Sequence, residues 1–233
     1  MSKLYLIPTP LGDYSPAEVL PAPVLELIPT IKLYFVEELR SARRFLSAAG
    51  LKGHIDQLEF HEINEHSSQT EIEAYAALLG KCDAAIISEA GLPAVADPGA
   101  ALVALAHKKG VEVVPMTGPS SLMMALMSSG LNGQCFAFTG YLPAKKEERK
   151  SAILNIEKIS AREHQSQIII ETPYRNDSLF EDMLSLCRPS TRICIAADIT
   201  LPTSTIRTRT VAEWKKERPV IGKRPCVFVL GAF

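Results

Sequence analysis

A chain of 233 residues, 47% hydrophobic and 22% charged, has an ordinary globular composition. It is long enough for one large domain or two of about 115 residues each. The formal net charge of −1 excludes a global field that draws in nucleic acid or an anionic membrane, so any RNA contact must rest on local basic patches. Five scattered cysteines (Cys82, Cys135, Cys187, Cys194 and Cys226), with no CxxC pair and no histidine at ligand spacing, predict reduced, buried thiols and no metal. No run reaches the roughly 18 apolar residues of a membrane span and no leader precedes the first strand, so a soluble, cytoplasmic protein without a membrane partner is expected.

In chain order, the short apolar runs 4–7, 31–36, 84–88 and 111–115 predict strands. Helical patterns lie between them. The stretch 40–49 ends at Gly50, 71–81 follows a capping-box spacing at Ser68-Gln-Thr-Glu71, and 100–109 closes on two lysines and Gly110. Alternation of strand and helix predicts a parallel sheet covered on both faces. Composition shifts at Val114-Pro-Met-Thr-Gly-Pro-Ser-Ser121, which places a boundary between an N-terminal α/β domain, 1–116, and a C-terminal one, 117–233. The second half reads as helix 122–129, strand 136–141, basic helix 145–159, strand 167–171 and a helix near 176–187. A hairpin of 192–198 with 203–209, a helix at 210–218 and a last strand at 225–230 complete it. Paired strands without a helix between them predict a mixed or antiparallel sheet there.

No Gly-x-Gly occurs, nor a Gly-Lys-Ser/Thr loop, nor a Gly-x-Ser-x-Gly elbow, so dinucleotide, phosphate-loop and serine-hydrolase chemistries lose ground. What remains is three loops that each follow a predicted strand: Pro8-Thr-Pro-Leu-Gly12, residues 88–99, and Thr117-Gly-Pro-Ser-Ser121. In open α/β sheets, ligands bind beyond the carboxyl ends of strands, where proline and glycine let the backbone approach closely. By themselves these loops predict a small-ligand site at a sheet edge.

Six ordered motifs carry a sharper resemblance. They are Leu4-Tyr-Leu-Ile-Pro-Thr-Pro-Leu-Gly12, Glu37-Glu-Leu-Arg40, His61-Glu-Ile-Asn-Glu65, Ser88-Glu-Ala-Gly-Leu-Pro-Ala-Val-Ala-Asp-Pro-Gly99, Val113-Val-Pro-Met-Thr-Gly-Pro-Ser120 and Thr139-Gly-Tyr-Leu-Pro-Ala-Lys145. Together they resemble the tetrapyrrole (corrin/porphyrin) methylase superfamily. The likeness is greatest to the branch that methylates a ribose 2′-hydroxyl of small-subunit ribosomal RNA, and it continues more weakly through Glu171-Thr-Pro-Tyr-Arg175. The resemblance implies a two-domain α/β methyltransferase, an N-terminal mostly parallel sheet and a C-terminal mixed one, with S-adenosyl-L-methionine in the cleft between and a homodimer as the assembly. Carried over by motif, the cofactor-binding residues are Leu11, Gly91, Leu92, Val95, Ser120, Ser121, Glu171, Thr172 and Pro225. Amides at the start of the helix after residues 117–121 would suit the methionyl carboxylate.

A sulfonium already activates the methyl group, so the protein chiefly positions an acceptor; a ribose hydroxyl would also gain from a general base. The candidates are His61, Glu37 and Glu38. His61 could equally be a structural histidine, and Glu37 or Glu38 could cap a helix or pair with Arg40. Basic groups that could meet RNA phosphates are Arg40, Arg43 and Arg44, then Lys145, Lys146, Arg149 and Lys150, then Lys215, Lys216, Arg218, Lys223 and Arg224. Such runs also serve as solvated helix faces.

The chain departs from the ribosomal branch at several points. Glu-Asp-Thr-Arg is here Glu37-Glu38-Leu39-Arg40, and Ser-Asp-Ala-Gly-Thr-Pro is Ser88-Glu89-Ala90-Gly91-Leu92-Pro93. Arg-Glu-Leu-Thr-Lys is replaced by Ala197-Asp-Ile-Thr-Leu201. These changes leave open a same-fold methyltransferase acting on a tetrapyrrole-like or protein acceptor, and a non-catalytic S-adenosyl-ligand or RNA-binding relative.

Overall fold

The computed structural model describes residues 2–64 and 66–233; Glu65, which closes the His61 motif, lies outside them. The chain divides into two compact units, Met1–Ser120 and Ser121–Phe233.

The first unit runs β1 (Lys3–Ile7), α1 (Pro16–Val19), α2 (Ala22–Leu27), β2 (Leu33–Val36), α3 (Leu39–Leu46), β3 (Glu59–Glu62), α4 (Gln69–Ala76), β4 (Ala84–Ile87), α5 (Ala100–Lys108) and β5 (Glu112–Pro115). Its five strands are all parallel, in the order β3-β2-β4-β1-β5. β2 and β4 are buried along their whole length, which is why they read as unbroken apolar runs. Strand alternation divides their side chains between two cores. Tyr34, Val36, Ala85 and Ile87 meet Val24, Ile28 and Leu46 on one face, while Leu33, Phe35, Ala84 and Ile86 meet Ile72, Leu102 and Ala106 on the other. The sheet is covered on both faces, as expected.

Three local features differ from expectation. β3 has one neighbour only and buries neither Glu59 nor Glu62, so its Glu-Phe-His-Glu sequence lacks the apolar signature of a central strand. α1 and α2, of four and six residues, carry prolines at their starts and are too short to show periodicity. α3 stops at Leu46, and a wider turn, Ser47–Leu51, follows with Gly50 at φ 111°, a left-handed conformation open to glycine. The capping box at Ser68 and Glu71 is formed.

The second unit runs α6 (Ser121–Ser129), β6 (Phe136–Tyr141), α7 (Lys146–Glu163), β7 (Ser166–Ile170), α8 (Asn176–Leu186), β8 (Arg192–Ala197), β9 (Thr205–Thr210), α9 (Val211–Lys216) and β10 (Cys226–Gly231). The strand order is β6-β7-β10-β8-β9, with β6 and β7 parallel and every other pair antiparallel, a mixed sheet. Trp214 anchors its core: the indole donates to the Ile193 carbonyl at 2.9 Å and meets Phe180 edge-on at 5.7 Å. α7 runs on to Glu163, where His164 turns left-handed at φ 52°.

All five cysteines are free, but the expectation of uniformly buried thiols is corrected: Cys82 is exposed and Cys135 half-buried. Burial pushes the Cys187 and Cys226 thiols up to about 12, so neither is a nucleophile at neutral pH. No helix among the described residues is long and apolar enough to cross a membrane.

Candidate active site

At the carboxyl edge of the first sheet, the loops after β1 and β4 are stitched together. Thr9 and Gly91 exchange both backbone hydrogen bonds, at 2.9 and 3.1 Å, and the Thr9 hydroxyl donates to the Ser88 carbonyl at 3.3 Å. Gly91 sits at φ 79°, a left-handed conformation that calls for glycine, and a Cβ there would lie 3.2 Å from Leu11 Cδ2, the end of a side chain that has to shift slightly to admit it. Farther along the loop, Ala94 (φ 63°) and Ala96 (φ 57°) hold left-handed conformations that cost alanine about 1 kcal/mol each. Asp97 holds that shape: its Oδ1 accepts from the Ala94 and Gly99 amides at 3.2 and 2.7 Å. Asp97 Oδ2 is buried without a hydrogen-bond donor among the described residues. Backbone strain held by a carboxylate beyond a strand marks this loop as more than a turn.

The loop after β5 closes on the same edge. A Cβ on Gly118 would lie 2.3 Å from Pro8 Cβ and 2.6 Å from Pro8 Cγ, inside the reach of a rigid ring. Gly118→Ala is therefore expected to destabilise the first unit by about 1–3 kcal/mol, read as a lower urea midpoint by circular dichroism; an unchanged midpoint would refute the close approach.

Of the three candidate bases, only Glu37 reaches this loop. It leaves β2 half-buried, and its Oε2 accepts the Glu89 amide at 3.2 Å. Burial pushes its carboxyl above the ordinary range against the stabilising Glu89 amide, and the Asp97 and Glu89 carboxylates beside it push it further. Glu38 is occupied otherwise. It caps α3, its two oxygens accepting from the Arg40 and Ser41 amides at 2.8 and 2.6 Å, and those bonds hold its carboxyl below the usual range. His61 lies on edge strand β3, paired to Glu59 Oε1 at 2.8 Å, stacked on Phe35 at 5.7 Å and tilted against the Tyr75 ring at 4.8 Å. It is thus gathered with aromatic side chains, not with Glu37. Asp97 was not singled out from the sequence, although Asp-Pro-Gly after a strand is a turn signal in which an aspartate bonds nearby amides.

The candidate cofactor residues divide between the units. Leu11, Gly91, Leu92, Val95 and Ser120 belong to the first, with Val95 exposed and Leu92 half-buried. In the second, Ser121 opens α6, while antiparallel pairing of β7 with β10 carries Glu171 and Thr172 to the end where Pro225 enters. One Glu171 oxygen accepts from Arg175 (2.6 and 2.9 Å) and the Thr172 amide (2.7 Å); the other is buried with no partner among the described residues. Pro225 donates no amide, and its carbonyl accepts from Asp198 at 2.9 Å.

The basic clusters are mostly spoken for. Arg43 pairs with Asp56, Lys145 with Glu148, Lys150 with Glu147, Arg218 with Glu181 and Arg224 with Asp198. Lys223 lies over the Tyr174 ring at 4.8 Å. Arg149 is corrected outright: it is buried, donating to Asp182 at 2.7 Å and Ser178 at 3.0 Å, and cannot meet a phosphate. No group of three His, Cys, Asp or Glu among the described residues could hold a metal.

A family model described as tetrapyrrole (corrin/porphyrin) methylases matches residues 3–215. A protein of Vibrio cholerae serotype O1 named ribosomal RNA small subunit methyltransferase I is 30% identical over 90% of this chain and 69% of its own length. One of the same name from Neisseria meningitidis serogroup A is 32% identical over 90% of this chain and 68% of its own. Among solved structures, a diphthine synthase superposes with a TM-score of 0.69 at 15% identity, covering 99% of this chain and 90% of the other. A uroporphyrin-III C-methyl transferase from Thermus thermophilus, complexed with S-adenyl homocysteine, gives 0.59 at 15% identity, covering 99% and 97%.

Proposed function

Because the chain belongs to the tetrapyrrole (corrin/porphyrin) methylase family and is an S-adenosylmethionine-dependent methyltransferase, we propose that its acceptor is a ribose 2′-hydroxyl of small-subunit ribosomal RNA. The observation that carries the RNA target is the similarity to proteins named ribosomal RNA small subunit methyltransferase I, at 30–32% identity over about nine-tenths of the chain.

The residues present fit the cofactor. Gly91 keeps a side chain out of the turn beyond β4, and the unpartnered Glu171 oxygen is an acceptor that a ribose hydroxyl or ammonium group would satisfy. Leu11, Gly91, Leu92, Val95, Ser120, Ser121, Glu171, Thr172 and Pro225 are assigned to holding it. The cofactor supplies an electrophilic methyl group on a sulfonium. The protein orients the acceptor oxygen in line with that methyl and takes up the hydroxyl proton. Glu37 is the group for that proton: it stands beside the strained loop, and its raised carboxyl pKa makes the ionised form a stronger base than an ordinary glutamate. His61 and Glu38 are assigned structural roles, from the contacts that occupy them.

The same reading places the enzyme in the cytoplasm as a homodimer. Edge strand β6 leaves Phe136, Phe138 and Tyr141 exposed, a surface that self-association would cover; sedimentation of the purified chain checks it. For the target, ribosomal RNA from a strain lacking the gene is expected to have lost a 2′-O-methyl group that the purified protein restores to isolated small subunits. An identical ribose-methylation pattern in deletion and parent strains would eliminate the RNA assignment.

A further inference from the structure

We propose that the cavity between α3 and the loops after β1 and β4 seats the acceptor nucleotide, with Arg44 as its phosphate ligand and Tyr14 as its base platform. The inference rests on the RNA reading above.

The cavity belongs wholly to the first unit and holds about 450 Å³, within the range of small-ligand sites of roughly 300–1,000 Å³. One wall is a helical stripe, Ser41, Arg44, Phe45 and Ala48, spaced so that all four share a face of α3 and the turn after it. Arg44 makes no ion pair or side-chain hydrogen bond among the described residues. Its neighbour Arg43, about 100° around the helix, is turned to Asp56 instead. A free guanidinium fork on a cavity wall is built for a phosphate or carboxylate.

The remaining walls argue for a nucleotide over a bare anion. Tyr14, half-buried, and Phe45 offer ring surface on which a base can stack. The Asp13 and Glu89 carboxylates oppose an inorganic anion but accept from the hydroxyl or amino groups that a ribose and base present. Glu89 also joins the cavity to the proposed base, because its amide donates to Glu37 Oε2 at 3.2 Å. Glu37 itself does not line the cavity, so a nucleotide seated with its phosphate on Arg44 has to extend past Glu89 to bring its hydroxyl to the group that would take its proton. Among the residues assigned to the cofactor, only Leu11 borders this space.

The test uses the full chain, small ribosomal subunits purified from the deletion strain, and labelled S-adenosylmethionine. Arg44→Ala is expected to raise the KM for subunits about tenfold and to lower the salt slope by about one. Its S-adenosylmethionine affinity by calorimetry and its Tm should match the wild type. Arg43→Ala, which removes the same charge one residue away, should leave KM unchanged, and Arg44→Lys should recover part of the loss. Tyr14→Ala should raise KM where Tyr14→Phe does not. Equal KM values for Arg44→Ala and wild type, equal losses from Arg43→Ala, or a matching loss of cofactor affinity would each overturn the assignment. Wild-type protein that transfers no methyl to subunits would instead remove the RNA reading, and this inference with it.

Discussion

Glu37→Gln is expected to lower kcat for methyl transfer by about 10²–10⁴-fold, the range of a positioned general base, while S-adenosylmethionine binds as before. Glutamine is nearly isosteric, and its amide oxygen can still accept from the Glu89 amide, so the loop after β4 keeps its anchor. The two proteins should also differ in pH dependence. Burial raises the Glu37 carboxyl above its usual 4.5, so wild-type activity should climb with pH through a window above that value, as the base ionises. Glu37→Gln should lose that limb. Stability runs the opposite way. The folded state holds the Glu37 proton more tightly than the unfolded chain, so its contribution is present below the unfolded value and is lost as pH rises through the folded one. Glu37→Gln should therefore show a shallower fall in stability across the same window. A variant with wild-type kcat and an unaltered pH profile would remove Glu37 from the chemistry and leave positioning alone to account for the rate.

Arg149→Ala should cost about 3–5 kcal/mol of stability in the second unit, a larger effect than any surface charge change in the chain. The guanidinium is buried between α7 and α8, where it pairs with Asp182 and also donates to Ser178. Removing it leaves the largely buried Asp182 carboxylate without its partner, a state that neither water nor a neighbour repairs cheaply. Lys150→Ala, next in sequence but in an exposed pair with Glu147, should cost less than about 1 kcal/mol. Trp214 is the only tryptophan and lies in the same core, so its fluorescence reports the unfolding of this unit. Equal urea midpoints for the two variants would show that Arg149 is not holding α7 to α8.

This contrast shows how charge runs mislead. Lys145, Lys146, Arg149 and Lys150 are indistinguishable as cations in the sequence. The helical phase of α7 turns Arg149 inward, and only the arrival of α8 gives it a carboxylate. Likewise Arg43 and Arg44 are twins until Asp56 comes within reach of one of them.

The alternation of short apolar runs with capped helices by itself determined the parallel sheet. β2 and β4 are buried on both faces, so every position is apolar and the strand declares itself. The hairpin of β8 with β9 and the capping box at Ser68 were legible for a different reason, since each depends on residues close in the chain. Edge strand β3 was not, because its Glu-Phe-His-Glu sequence carries no apolar run and no fully buried side chain. The site was legible as an ordered set of loops, but its working contacts join residues far apart: Thr9 to Gly91, Glu37 to Glu89, Pro8 against Gly118. Tertiary structure alone distinguished the three candidate bases: it half-buries Glu37 beside Asp97, sets Glu38 at a helix end and packs His61 against aromatic rings. Composition and periodicity report which face of an element is buried; which charges meet at a sheet edge is decided by closure of the chain upon itself.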